Sequence, residues 1–240
     1  MKQHSCTVIN AESDADVVVV DQALKSAQSN VTVVVADDTD ILILLCSQAT
    51  SDLKPIYQQP LLQSKQYKGN DLSVFHIKHT QRSLGELTQI LPLIHAVTGC
   101  DTTSRVYGLG KRGGLQKFMK SKMLQAKAKT FLRKGEHKSK IIQDGEAILL
   151  ELCRATQCHQ NNLDRLRFDI FSSKVANAQI NPVKPHELPP TSSAAKYHSL
   201  RVYHQVQTWC GEFLVAHDWG WFLKEGYLLP ILMEKNPALP

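Results

Sequence analysis

Residues 33–45 read VVVADDTDILILL: an apolar run halts at Asp37, Asp38, Thr39 and Asp40 and then resumes. No other stretch of the chain constrains its fold as strongly. Three carboxylates in four positions repel one another, and apolar flanks that lower the local dielectric sharpen the repulsion. The group is tolerable where water reaches it or where something positive sits beside it. An apolar strand that ends in an acidic loop satisfies that condition.

The surrounding pattern extends this to half of an α/β unit. Val17, Val20, Ala23, Leu24 and Ala27 repeat at three- and four-residue steps, so Asp14 to Ala27 is expected to be helical, although its four consecutive valines also suit a strand. QSN breaks that segment, and VTVVVA follows as a short buried strand. After Asp40, ILILLCSQ fits a short helix or a continued strand, and periodicity leaves both open. IYQQ, framed by Pro55 and Pro60, reads as an edge strand, and LSVFHIKHT as another. Ser83, with Glu86 three residues on, caps a helix through LGELTQILPLIHAVTG that Pro92 would kink.

Beyond it, GCDTTSRVYGLGKRGGLQKFMK is a glycine-bearing loop that leads into a basic helix, and Gly145 to about Phe171 reads as helical. Asn181 to Lys196 is a Pro- and Ser-bearing connection. Leu200, Tyr203, Val206, Trp209 and Phe213 mark one helix face, and DWGW (Asp218–Trp221) a tight turn. The organisation expected is an α/β domain at 1–105, a basic helical extension at 106–180, a linker at 181–196 and a C-terminal helical segment at 197–240.

Composition narrows the function classes. No apolar run approaches the roughly 20 residues that cross a membrane, and the first sixteen residues lack the apolar core of a signal peptide. Six cysteines at irregular spacing suit reduced intracellular thiols rather than a disulfide framework. Cys153, Cys158 and His159 could be half a zinc site, but no second ligand pair follows at finger spacing. The net charge of +6 is unevenly spread: Lys111–Lys140 holds eleven Lys/Arg against Glu136 alone, while the first forty residues hold seven acids against Lys2 and Lys25. Acidic residues that hold metal, and a basic tract that holds a polyanion, are what a phosphodiester enzyme requires. Two unrelated solvated faces would give the same pattern.

The carboxylates carry the chemistry. Asp14 and Asp16 stand two apart before a helix, Asp38 and Asp40 two apart after a strand, and Asp101 follows an apolar helix end. In open α/β sheets ligands collect at the carboxyl ends of strands. Oxygen donors without His or Cys favour Mg²⁺ or Mn²⁺, and two such ions about 4 Å apart serve phosphodiester hydrolysis. Singly, each group has a plainer role: Asp14 as a helix N-cap, Asp37–Asp40 as a turn, and Asp101 with its threonines as a cap.

The order DAD, then VVVADDTD, then TGCDTTSRVYGLGKRGG resembles the flap-endonuclease/XPG-like nucleases of the PIN-like superfamily over residues 10 to 120. The wording DDTDILILL and HAVTGCDTTS is similar to animal proteins that carry such a domain, some of them tied to mobile elements. The resemblance implies a mostly parallel sheet flanked by helices, incomplete at its N-terminus, with a helix–two-turn–helix-like basic extension. By position it implies Asp14, Asp16, Asp38, Asp40 and Asp101 as ligands of a two-metal site of Mg²⁺ or Mn²⁺, with Asp38, Asp40 and Asp101 catalytic. Gly108, Gly110 and Lys111 match the family's hairpin. There glycines let backbone N–H groups approach phosphate, with Arg112, Lys117 and Lys120 extending the grip along the backbone.

The function expected is therefore structure-directed cleavage of nucleic acid, DNA with a flap or junction, by an intracellular, nuclear protein. The family's Glu pair is replaced here by Asp14 and Asp16, and its first strand with its own metal-binding Asp is absent from the chain, so the two-metal site is expected to be incomplete. The alternative is a non-catalytic nucleic-acid-binding or scaffold protein derived from a mobile element.

Overall fold

The computed structural model describes residues 6–12, 14–61, 74–153, 162–177 and 183–234. Part of the LSVFHIKHT strand, Cys158 and His159 of the half zinc site, and Asn181 and Pro182 of the connection lie outside the described residues. The protein is a mixed α/β chain in two compact units, residues 1–89 and 90–240.

The first unit starts with α1 (Ala15–Ala27), which buries Val20, Ala23 and Ala27 and leaves Val19 exposed, so one stripe of the valine run faces inward. It leads to β1 (Thr32–Val35), then α2 (Thr39–Gln48), then β2 (Ile56–Gln59). The segment after Asp40 is thus a helix, which buries Ile41, Leu44, Leu45 and Cys46. β2 pairs with β1 in parallel, from Thr32↔Ile56 to Val35↔Gln59. β3 (Phe75–His76) pairs with β2 antiparallel, so the three-stranded sheet is mixed, in the order β1-β2-β3.

Two expectations need correction here. IYQQ is the central strand of the described sheet, because β1 and β3 flank it on both sides. VTVVVA is not a buried strand: Val34 is buried while Val33 and Val35 are 54% and 55% exposed. Alternation along a strand sends neighbouring valines to opposite faces, and only one face of β1 is covered in this unit.

The segment read as a strand running to Thr80 turns helical early. α3 (Ile77–Leu84) is capped by His76, whose Nδ1 accepts from the His79 N–H. Gln81 on α3 donates from Nε2 to the carbonyls of Cys46 (2.9 Å) and Ala49 (2.7 Å), filling acceptors that the end of α2 leaves open. Gly85, at φ 57°, ends α3, and a 3-10 turn (Gly85–Ile90) follows. Ser83, expected as a helix cap, lies inside α3 and donates to the His79 carbonyl, and the single kinked helix expected after it is that 3-10 turn followed by a separate α-helix. Pro92 lies in the first turn of α4 (Leu91–Val97), where its missing N–H costs nothing.

The second unit continues with α5 (Lys111–Lys120), α6 (Lys122–Leu132), α7 (Lys138–Cys153), α8 (Leu163–Asn177) and α9 (Ser192–Trp209). α9 packs against α4, α6 and α7 and buries Leu200, Tyr203, Val206 and Trp209. Phe213, read as part of the same face, lies past the helix end and is 93% exposed. Because α9 is covered nearly all round, its buried polar groups bond its neighbours. Gln207 donates to the Phe131 carbonyl, and the Tyr203 hydroxyl donates to Arg133 and accepts from the Glu136 N–H. DWGW ends a 3-10 turn (Ala216–Trp219) and opens a hairpin, β4 (Trp221–Lys224) with β5 (Tyr227–Pro230). Its two turn residues, Glu225 and Gly226, both have positive φ, which matches the right-handed twist of paired strands. Glutamate in a place where Asn or Asp is usual hides that turn in the sequence.

α6 and α7 are joined by Asp144, 2% exposed, which accepts from Lys127 (2.7 Å), Thr130 (2.7 Å) and Lys140 (3.0 Å). Burial alone would raise its carboxyl pKa, but these donors outweigh that and hold it below the ordinary carboxylate value. A depressed folded pKa stabilises the fold above the unfolded value near 4, and that contribution is lost as pH falls through the folded pKa. Asp144→Asn is expected to destabilise the unit by about 2 kcal/mol near pH 7, since both lysines can turn to water. The gap from the parent should narrow toward pH 3. Urea denaturation followed by tryptophan fluorescence at the two pH values measures both; a gap that does not change with pH removes the linkage.

Among the described residues no helix is long and apolar enough to cross a membrane.

Candidate metal centre

DAD and DTD turn out to be the same local device used twice. Asp14 caps α1 in an extended conformation (φ −65°, ψ 116°), and its Oδ1 accepts from the Asp16 N–H at 3.0 Å. Asp38 caps α2 in the same way (φ −74°, ψ 131°), accepting from the Asp40 N–H at 2.8 Å. Asp16 and Asp40 therefore each fall in the first turn of a helix, where the partial positive charge of the N-terminus favours a carboxylate.

α1 and α2 pack side by side, so their two acidic starts meet. Asp16, Asp38 and Asp40 bring one carboxylate oxygen each to within 4.8 Å of one another, with Asp38 exposed and the other two half-buried. Their repulsion is roughly 3.5 kcal/mol for a pair 4.8 Å apart at an effective dielectric of 20, more for a closer pair and less where water enters. Helix N-termini offset about 0.3–1 kcal/mol each, so the group is held together by its backbone rather than by mutual attraction.

That backbone is pinned to β2. The Ala36 N–H donates to the Gln59 carbonyl (2.9 Å), and Asp37 accepts from the Leu61 N–H (2.8 Å). Gln58, 4% exposed, donates from Nε2 to the carbonyls of Ala36 (3.2 Å) and Asp38 (3.0 Å). The sequence reading missed Gln58. The signal was available: Ile56 and Gln58 alternate on the buried face of a strand, and a buried glutamine needs partners.

Three carboxylate oxygens with no nitrogen or sulfur suit a hard divalent cation. Ligands of an octahedral Mg²⁺ lie roughly 2.9 Å apart when adjacent and 4.1 Å when opposite, so oxygens within 4.8 Å of one another would draw together on an ion. The trio could hold a metal ion.

The other expected residues are placed as follows. Asp14 serves as the α1 cap, outside the trio. Asp101 belongs to the second unit, exposed in a tight turn after α4, in which the Cys100 N–H donates to the Thr103 hydroxyl and that hydroxyl to the Ala96 carbonyl. Gly108 takes φ 72°, and Gly110 precedes the first residue of α5. The ammonium of Lys111 donates to the carbonyls of His95 (2.6 Å) and Gly99, at the end of α4. That of Lys117 donates to Leu152 (2.7 Å) and Glu151 (3.3 Å), at the end of α7. Both lysines thus serve as helix C-caps, while Arg112 and Lys120 are exposed. Burial pushes the Cys153 thiol up to about 11, which disfavours the thiolate that a zinc ligand requires.

No protein-family model, curated protein or solved structure matches the chain.

Proposed function

We propose that the chain is a divalent-cation-dependent phosphodiester hydrolase of the flap-endonuclease-like class, or a descendant that has kept its cation site. The observation that carries this reading is the convergence of Asp16, Asp38 and Asp40 from two helix starts. Capped helices need one acidic residue each; they do not need their acidic ends brought together. Asp38 and Asp40 hold the ion from α2 and Asp16 from α1, with Asp14 keeping the Asp16 backbone in place. Bound Mg²⁺ or Mn²⁺ supplies Lewis-acid activation of water and of the phosphodiester oxygen. Three carboxylates suffice for one ion, and a second would require further ligands. Arg112 and Lys120, exposed on α5, would meet the phosphates of a DNA flap or junction without reading sequence. Such a substrate places the work in the nucleus.

A second reading keeps the cluster but not the chemistry: a nucleic-acid-binding or scaffold protein. It is favoured by the capping geometry, since every member of the trio stands at a helix start where acidic residues occur without any cation.

Serine at position 38 keeps the cap and removes the ligand, which separates the two roles. Asp38→Ser is expected to weaken Mn²⁺ binding at least tenfold by calorimetry and to abolish Mn²⁺-dependent cleavage of flap and nicked duplexes. Asp14→Ser should change Mn²⁺ affinity less than threefold. Equal Mn²⁺ affinity in all three proteins would remove the cation site. Metal binding without cleavage, together with duplex binding that falls steeply with salt, selects the second reading.

A further inference from the structure

Inside the second unit, the loop after α4, α9 and the segment before α9 enclose a half-open cavity of about 230 Å³. Its polar wall carries Arg105, Arg201 and His198, its apolar wall includes Leu149 and Leu188, and among the described residues no carboxylate lines it.

Arg201 is 3% exposed. Its Nη1 donates to the carbonyls of Gly220 (3.2 Å) and Ile231 (2.6 Å), and its guanidinium lies 5.8 Å from the Trp221 ring centre. Those bonds tie the β4–β5 hairpin to α9 and use both Nη1 hydrogens. A guanidinium has five N–H donors, so three remain, on Nε and Nη2, with no protein acceptor among the described residues. Burial pushes the group down to about 10. His198 adds no charge: its Nε2 bonds the Val97 carbonyl, and burial takes its pKa down to about 4. Arg105 puts a second guanidinium at the same cavity, exposed at its mouth.

A buried cation without a counter-charge costs several kcal/mol, and a guanidinium fork matches the two oxygens of an oxyanion. The volume exceeds what a bare ion needs, since a single water needs only about 10–15 Å³ of such space. We propose that this cavity binds a small organic anion, its carboxylate or phosphate on Arg201 and Arg105 and its apolar body against Leu149 and Leu188. The proposal is independent of the carboxylate trio and of any nuclease activity.

Calorimetric titration of the full chain with phenyl phosphate, 3-phenylpropionate, inorganic phosphate and neutral 3-phenylpropanol tests it. At least one aromatic anion should bind tenfold or more tightly than the alcohol and than inorganic phosphate, and the tighter of the two identifies the headgroup. Arg105→Ala, at an exposed position, should weaken that anion at least tenfold. Arg201→Gln should do the same, with circular dichroism checking its fold. Binding of no anion would leave the cavity to water and overturn the site. An alcohol or inorganic phosphate that binds as tightly as the aromatic anions, or an unchanged affinity in Arg105→Ala, overturns it equally.

Discussion

Gly145→Ala is expected to lower the stability of the helical unit by about 3 kcal/mol, although alanine is the better helix former by about 1 kcal/mol. A Cβ at this position on α7 would lie 2.1 Å from the Ser199 hydroxyl oxygen and 2.4 Å from its Cβ, with Phe131 Cζ at 3.3 Å behind. The hydroxyl can rotate away, but the Ser199 Cβ is fixed to α9, so the two helices must separate along their contact. Ser199→Gly removes the obstructing atoms, and the double variant should regain most of the loss, short of the helix penalty of the new glycine and the Ser199–Ala195 hydrogen bond. All three tryptophans (209, 219 and 221) lie in this unit, so urea denaturation read by fluorescence reports on it alone. Losses that simply add in the double variant would show that the close approach of α7 and α9 is not what Gly145 provides.

Trp209→Ala should be the more severe change, about 3–5 kcal/mol, because it empties the largest fully buried side-chain site in the described structure. The indole ends α9 where that helix meets α4, with its ring 5.9 Å from that of His95. The cavity cannot collapse easily, since all seven residues of α4 are themselves buried and packed. Trp209→Phe, which keeps a ring, should cost well under half as much. The remaining two tryptophans still report the transition. A loss below about 1 kcal/mol in Trp209→Ala would mean that the α4–α9 contact is not a core.

The carboxylate trio illustrates how far such a chain can be read before its structure is known. That acids stand at the ends of apolar elements is legible because capping is local: Asp14 and Asp38 each accept from an N–H two residues away. The lysines of the basic tract show the opposite. Lys111 and Lys117, expected to meet phosphate, also bond carbonyls 12 to 35 residues distant. Nothing in a run of lysines distinguishes a cap on a remote helix from a solvated charge. Gly145 misleads in a similar way: a glycine suggests the start of a helix, whereas here it lies in the middle of α7, where another helix comes too close for any side chain.

The amino-acid order alone indicated the character of the local pieces: an acidic cap before α1, whose valines left a strand open as well, a strand that ends at an acidic loop, and a C-terminal segment with an apolar stripe. These rest on hydrogen bonds and periodicities within a few residues, which the chain carries wherever it folds. The packing of α1 beside α2 decided that Asp16 joins Asp38 and Asp40. The burial of α9 decided that Arg201 loses water without gaining a carboxylate among the described residues. Both follow from contacts between residues far apart in the chain, whose entropic cost is met only by the complete core, so no short window of sequence contains them.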